Sequence, residues 1–265
     1  MTLRMFSSLA LSGLLATSLS ACQASDDVGV EKPGVEKLGV EIVERHPFDE
    51  TSFTQGLEVD ENGSILVGTG RTGESRIYRT TTADEQSHSH DLDEELFGEG
   101  ITRHGDTVWQ LTWQAGTVIE RDATTLTEKG RASYPGEGWG LCAQQDRLIL
   151  SDGTDELRYL APEDFSEIGR VPITLEGEPL AGINELECVG DEVYANIFMS
   201  TDIVRIDPDS GEVTALIDAS RLPNNGPDHP DAVLNGIAHL PGTDRFYLTG
   251  KWWPDLYEVR FVPSG

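Results

Sequence analysis

Cationic side chains are scarce: 19 Lys and Arg stand against 47 Asp and Glu in 265 residues, a net charge of −28 at neutral pH. Only Lys32, Lys37, Lys129 and Lys251 are lysines. A surface this acidic repels phosphate backbones and anionic headgroups, which excludes nucleic acid as a partner. It suits a salty or extracellular medium, where screening relieves self-repulsion. Cysteines number three and the six histidines are scattered, so no spacing gathers a zinc site. His88-Ser89-His90 falls on a presumed outer strand and reads as solvated. Neither G-x-S-x-G nor a P-loop occurs. The acidic runs Asp60-Glu61-Asn62-Gly63 and Asp207-Pro208-Asp209-Ser210-Gly211 have the composition of hairpin turns rather than of a calcium loop. No metal and no cofactor is therefore expected. No segment carries a long helical period, and a long, largely apolar run without charge occurs once, near the start.

That run, Met5 to Leu19, follows Arg4 and contains no acid, the pattern of a secretory signal too short and Ser-rich for a good membrane span. It closes on Leu19-Ser20-Ala21-Cys22, which resembles the lipobox of bacterial lipoproteins. The resemblance implies removal of residues 1–21, a lipid on Cys22, and export to the cell envelope, with the membrane met only through that anchor. Residues 22–39 then read as a flexible tether. They contain a five-residue repeat, GVEKP-GVEKL-GVE, too polar to bury anything and able to span about 25 Å as a coil.

Residues 40–265 repeat. Gly56, Gly100, Gly140, Glu185 and Gly236 anchor five similar segments at spacings of 44, 40, 45 and 51. Each anchor is followed by a turn and a β-rich run, such as Ile65-Leu66-Val67 or Phe246-Tyr247-Leu248, and then by a third alternating strand. A period of 40 to 50 residues with about four short strands predicts an all-β fold, a five-bladed β-propeller. A β-sandwich would not repeat one strand grammar five times. The last blade runs out of chain after three strands, so an N-terminal strand from Val40 to Arg45 is expected to complete it and close the ring. Cys142 and Cys188 fall in inner strands of neighbouring blades. Aligning Asp146 with Asp191 sets Cys142 opposite Glu187, on opposite faces, so two buried free thiols are at least as well supported as a disulfide.

Propeller chemistry gathers where inner strands begin. Phe53, Gln55, Phe97, Glu99, Trp139, Asn184 and Asn235 stand there, with Trp113 and Lys251 at the ends of second strands. One carboxylate, one lysine, amides and aromatics make an apolar small-ligand site with a few placed polar groups. The runs Phe53-Thr54-Gln55-Gly56-Leu57, Phe97-Gly98-Glu99-Gly100, Gly138-Trp139-Gly140-Leu141, Asn184-Glu185-Leu186-Glu187 and Thr249-Gly250-Lys251-x-Trp253-Pro254 resemble the plant and bacterial type of glutaminyl-peptide cyclotransferase. The resemblance extends in order from about residue 40 to 262. It implies a monomeric, metal-independent enzyme that converts the N-terminal glutamine of a peptide or protein substrate to pyroglutamate. It also implies Glu99, Lys251 and Asn184 as catalytic groups, with Gln55, Phe53, Phe97, Trp113, Trp139 and Phe198 around the substrate. Phe198 departs from the family's usual tryptophan, keeping an aromatic wall but losing an indole donor. The alternative is a non-catalytic propeller lipoprotein that binds peptides or scaffolds an envelope complex.

Overall fold

Alternation of apolar and polar residues over four to seven positions, punctuated by Gly, Asp and Asn, leaves the chain no route to a helix, and among the described residues none forms. The structure, a computed structural model, describes residues 34–264. The expected signal segment 1–21, the lipidation site Cys22 and most of the tether lie outside the described residues.

The first strand, β1 (Glu36–Pro47), is long. Two antiparallel sheets follow: β2 (Thr54–Val59), β3 (Ile65–Thr69), β4 (Arg76–Thr80) and β5 (Ser87–Asp91), then β6 (Gly98–His104), β7 (Thr107–Thr112), β8 (Thr117–Asp122) and β9 (Glu128–Ser133). A third comprises β10 (Leu141–Ala143), β11 (Leu148–Ser151), β12 (Glu156–Leu160) and β13 (Glu167–Pro172). After a short hairpin, β14 (Thr174–Leu175) and β15 (Glu178–Pro179), come β16 (Ile183–Val189), β17 (Glu192–Ile197), β18 (Asp202–Ile206) and β19 (Val213–Asp218). The chain ends with β20 (Leu234–His239), β21 (Arg245–Gly250) and β22 (Asp255–Pro263). The last seven strands join β1 in one eight-stranded sheet. β1 lies between the two groups, antiparallel to β22 from Leu38 to Pro47 and parallel to β19 over Glu36–Gly39.

The strand therefore starts at Glu36, so residues 36–39, expected to belong to the tether, are part of β1. Leu38 stands where the preceding copy of the repeat has Pro33. Proline cannot donate to a ladder, whereas Leu38 is buried in a cluster with Ile203, Ile217 and Val259.

Burial falls from the first strand of each sheet to the last. β3 is buried throughout, whereas β5 and β9 are exposed along most of their length. Apolar side chains fill the interfaces between successive sheets. Leu66 and Ile77 meet Ile101 and Val108, and Trp109 and Leu111 meet Leu141 and Leu150. Ile149 and Leu157 meet Ile183 and Val204, and Tyr194 and Ile203 meet Ile237 and Leu248. A fifth cluster joins Leu57 and Val67 of the first sheet to Ala238 and Leu256 of the last. Each fully buried Leu or Ile contributes about 1.5–3 kcal/mol relative to its exposed state.

Cys142 and Cys188 form a disulfide, with Cα atoms 5.4 Å apart. The facing argument that left them open fails because β10 and β16 are not ladder partners. Each pairs within its own sheet, Cys142 opposite Ile149 and Cys188 opposite Val193. The bridge crosses from one sheet to the next, where the alternation rule of a single ladder has no force.

Buried carboxyls also tie first strands together. Glu185, which occupies the glycine position in its repeat, accepts hydrogen bonds from Leu57 N (3.1 Å) and Ile237 N (2.8 Å), and Glu187 accepts one from His239 N (2.9 Å). Burial raises both well above the usual carboxylate range, and the nearby Glu58 charge adds to the effect. Burial pushes Glu58 itself up to about 7, against hydrogen bonds from Thr102 and Arg103. An acid whose folded pKa is raised binds its proton more tightly folded than unfolded. Its stabilising contribution is complete below the unfolded value near 4.3 and is lost as pH rises through the folded value. The melting temperature should accordingly fall between about pH 4.3 and 7 on account of Glu58, with Glu185 and Glu187 extending the decline to higher pH. Differential scanning calorimetry checks this, and Glu187→Gln should flatten the decline.

Candidate active site

Four of the five first strands begin opposite the last residue of a second strand: Thr54 opposite Thr69, Gly98 opposite Thr112, Ile183 opposite Ile197 and Leu234 opposite Gly250; in the third sheet Leu141 stands opposite Leu150, one residue short of that end. One edge of each sheet thus presents both the positions just before first strands and those just after second strands. In these four ladders the register slips immediately after that opening pair, at Thr54/Gly56, Gly98/Ile101, Ile183/Leu186 and Leu234/Ile237. A bulge re-aims the residue it contains. Here those residues include Gln55, Glu99, Asn184 and Asn235. The sheets also approach closely at this point. A Cβ on Gly100 would lie 2.7 Å from Trp139 O, and one on Gly140 2.1 Å from Asn184 O. Only glycine permits that approach, which explains the spacing of the repeat anchors.

A cavity of about 260 Å³ opens there, lined by Phe53, Gln55, Phe97, Glu99, Trp113, Trp139, Asn184, Phe198, Asp231 and Lys251. The nine residues that the family resemblance implied as catalytic or substrate-contacting all line it, whereas Asn235, also singled out in the sequence, stands behind Gln55 and not in the wall. Asp231 is the addition.

Glu99 is 4% exposed, and its Oε1 accepts a hydrogen bond from Gln55 Nε2 at 3.0 Å. The orientation of that amide is set from behind. Asn235 Nδ2 donates to the Thr54 carbonyl and to Gln55 Oε1, both at 2.9 Å, which turns the Gln55 NH2 toward Glu99. Burial raises Glu99 well above the usual carboxylate range; Lys251 opposes this and the Glu137 charge reinforces it. Lys251 is 5% exposed, and burial lowers its pKa against the attraction of Glu99 and Asp231. Among the described residues its ammonium has no ion pair or hydrogen bond. It lies 4.7 Å from the Phe53 ring centroid and 5.6 Å from that of Phe198. The buried Asn184 side-chain amide is likewise without a hydrogen bond among the described residues, while the backbone carbonyl of Asn184 accepts one from Ser151 Oγ. The acid, the amine and the free amide are thus held in an apolar enclosure, and the shifts of Glu99 and Lys251 reflect its low polarity.

The walls close on themselves. Phe53 meets Phe97 edge-on (6.0 Å), and Phe97 meets Trp113 (5.6 Å). The indoles of Trp113 and Trp139 both donate to Glu137 Oε2, at 2.8 and 3.0 Å. Trp139 then meets Phe198 (5.2 Å), and Lys251 spans Phe198 and Phe53. Phe198 is 43% exposed, so the residue that departs from the usual tryptophan forms an open part of the rim.

Sequence reasoning missed Glu137. It stands between Gly136 and Gly138 as Glu99 stands between Gly98 and Gly100, and that parallel was the available signal. Its carboxylate fixes two rings at once, and Gln114 Nε2 holds its other oxygen at 2.8 Å. Asp231 carried no comparable signal, because it follows an irregular Pro/Asn/Gly loop.

Residues 13–261 match the family model described as glutamine cyclotransferase. Over 226 residues, 83% of this chain and 70% of the relative, the sequence is 32% identical to glutaminyl-peptide cyclotransferase of Arabidopsis thaliana. The crystal structure of Myxococcus xanthus glutaminyl cyclase superposes with a TM-score of 0.82 at 35% identity, covering 87% of this chain and all of that one. With a match across nearly its whole length, this chain belongs to the glutamine cyclotransferase family.

Proposed function

We propose that the protein is a glutaminyl-peptide cyclotransferase in which Glu99 shuttles the proton, carried on a five-bladed β-propeller that β1 completes. The observation that carries the reading is the pairing of Glu99 with Gln55 inside an aromatic enclosure that also holds Lys251 and Asn184. The family membership and the two relatives support the reaction. Four four-stranded units, a fifth made of β20–β22 with β1, and five inter-sheet clusters, the last returning to the first, support the propeller.

The substrate's own α-amine attacks its γ-carboxamide carbon, forming a C–N bond. The carboxamide C–N bond then breaks and the nitrogen leaves as ammonia. The amine, with a pKa of about 7.7–8.0, is partly neutral near pH 7 and needs little activation. The departing nitrogen needs a proton, and the attacking amine must lose one. A single carboxyl poised by burial performs both transfers, so the acid is regenerated. Phe53, Phe97, Trp113 and Trp139 hold glutamine folded on itself, making the encounter intramolecular and oriented. Lys251 and Asn184 are placed to donate to the tetrahedral oxygen; one such donor is worth about 3–4 kcal/mol in other enzymes. The steps as proposed call on side chains of this chain alone, and the chelator in the test below checks that no metal is needed.

We place the protein outside the cytoplasm, as a monomer anchored by lipid at Cys22. The Cys142–Cys188 bridge supports the location outside the cytoplasm, since such bonds persist in oxidising compartments. The test of function is mass spectrometry of a Gln-initiated peptide incubated with the purified protein and a chelator. Loss of the mass of one ammonia is expected. An unchanged peptide with folded protein would leave the peptide-binding lipoprotein in its place.

A further inference from the structure

A peptide whose first residue fills the 260 Å³ cavity must lead its second residue out, and the structure offers a groove at that exit. A second cavity, about 860 Å³, shares Phe53, Phe97 and Asp231 with the first. Half-buried Trp252 lines it, packed edge-on to Phe53 at 4.6 Å and covered by Arg71 (5.2 Å) and His229 (5.1 Å). Trp252 holds a φ of +60°, uncommon for a bulky residue, and its backbone N–H donates to Ser52 O at 2.7 Å. The indole is therefore fixed by the fold and is continuous with the aromatic wall of the catalytic enclosure.

The groove has a sign. Glu50, Asp228 and Asp231 are exposed along it, against one guanidinium, Arg71, whose charge is already shared with Glu74 at 3.6 Å. Among the described residues, Asp228 and Glu50 have no cationic partner within ion-pair distance. Asp231 has only His229 within ion-pair distance (3.8 Å), with the Lys251 ammonium acting on it from further off. A peptide strand leaving the cavity thus passes unneutralised carboxylates beside an aromatic face, a combination that receives Lys or Arg and repels Asp or Glu.

We propose that this groove is the subsite for the residues following the cyclised glutamine, and that it selects peptides with a basic side chain at the second or third position. The proposal rests on the cyclotransferase reading for the identity of the first residue, and its test is separable from that reading. Binding of the peptides Gln-Arg-Ala, Gln-Ala-Ala and Gln-Glu-Ala to the Glu99→Gln protein is measured by calorimetry, and kcat/KM for the same peptides on the wild-type protein.

The Arg peptide is expected to be favoured about tenfold over the Glu peptide in both measurements at low salt. Three solvated charge contacts of modest strength sum to roughly that. The preference should shrink toward unity near 1 M salt, where the screening length is about 3 Å. Glu50→Gln combined with Asp228→Asn should reduce the ratio to within about twofold. Glu61→Gln combined with Asp244→Asn removes two charges from hairpins at the opposite ends of the first strands. That pair should leave the ratio intact, which separates a local site from the pull of the whole acidic surface. Equal affinities for the three peptides, or a preference that survives the groove variants, would overturn the proposal. Selective binding with no turnover of any peptide would instead overturn the cyclotransferase reading and leave the groove standing.

Discussion

Glu99→Gln should lower kcat for pyroglutamate formation by about 10³-fold or more, within the range that positioned acid–base groups contribute, while peptide affinity changes by no more than about threefold. The separation follows from geometry. A glutamine at position 99 keeps a carbonyl oxygen where Gln55 Nε2 now donates at 3.0 Å, so the Asn235–Gln55 chain behind it stays satisfied. The aromatic walls touch the substrate through rings that the substitution does not reach. What is lost is the buried carboxyl that takes a proton from the amine and returns it to the leaving nitrogen; Asp231, the other carboxylate lining the cavity, is exposed. The stability readout has a definite sign. Burial raises the folded pKa of Glu99, so the wild-type carboxyl costs stability as pH rises through that value. The variant should therefore gain in melting temperature over wild type as pH rises above the ordinary carboxylate range, where the buried wild-type carboxyl is forced to ionise. Stopped-flow or coupled ammonia detection gives kcat, and calorimetry gives the rest. A fall confined to KM, or a variant that melts early at every pH, would remove Glu99 from the chemistry and make it a structural acid.

The repeats were legible because two physical constraints recur every 40 to 51 residues: strands alternate, and at one edge Gly56, Gly100 and Gly140 meet neighbouring backbone too closely to carry a side chain, while Gly236 holds a φ of +135° that favours glycine. The exception, Glu185, marks where a carboxylate rather than a bare backbone joins first strands. The cavity lining was legible for a related reason: once first-strand openings are aligned, the residues around them share one edge. What escaped depends on conformations no alternation encodes. Trp252 reaches the rim through a left-handed backbone, and Asp231 through an irregular loop. Glu137 matters because two indoles from different sheets converge on one oxygen, which requires the sheets to be placed first. The early start of β1 was nearly visible, in the replacement of Pro33 by Leu38 between copies of the repeat.

Removing the Cys142–Cys188 bridge, by Cys142→Ala with Cys188→Ala, should cost about 4 kcal/mol of unfolding free energy. That is the loop-entropy value for the 46-residue separation it closes. For a domain of this size the loss corresponds to a melting temperature lower by roughly 8–16 °C. The two sulfurs also sit within or against the cluster of Ile149, Ile183 and Val193, so the small void left by truncation adds to the loss rather than offsetting it. Activity at 25 °C should survive. The bridge joins β10 and β16 beyond Trp139 and Asn184, whose backbones are separately fixed by Trp139 N to Ser151 O and by Ser151 Oγ to Asn184 O. Protein made in a reducing cytosol should reproduce the unbridged melting point, and oxidation should restore the higher one. A double variant within about 1 kcal/mol of wild type would mean that the thiols are not paired in solution. The same result would take away the structural support for an exported protein, since the bridge is what ties this fold to an oxidising compartment.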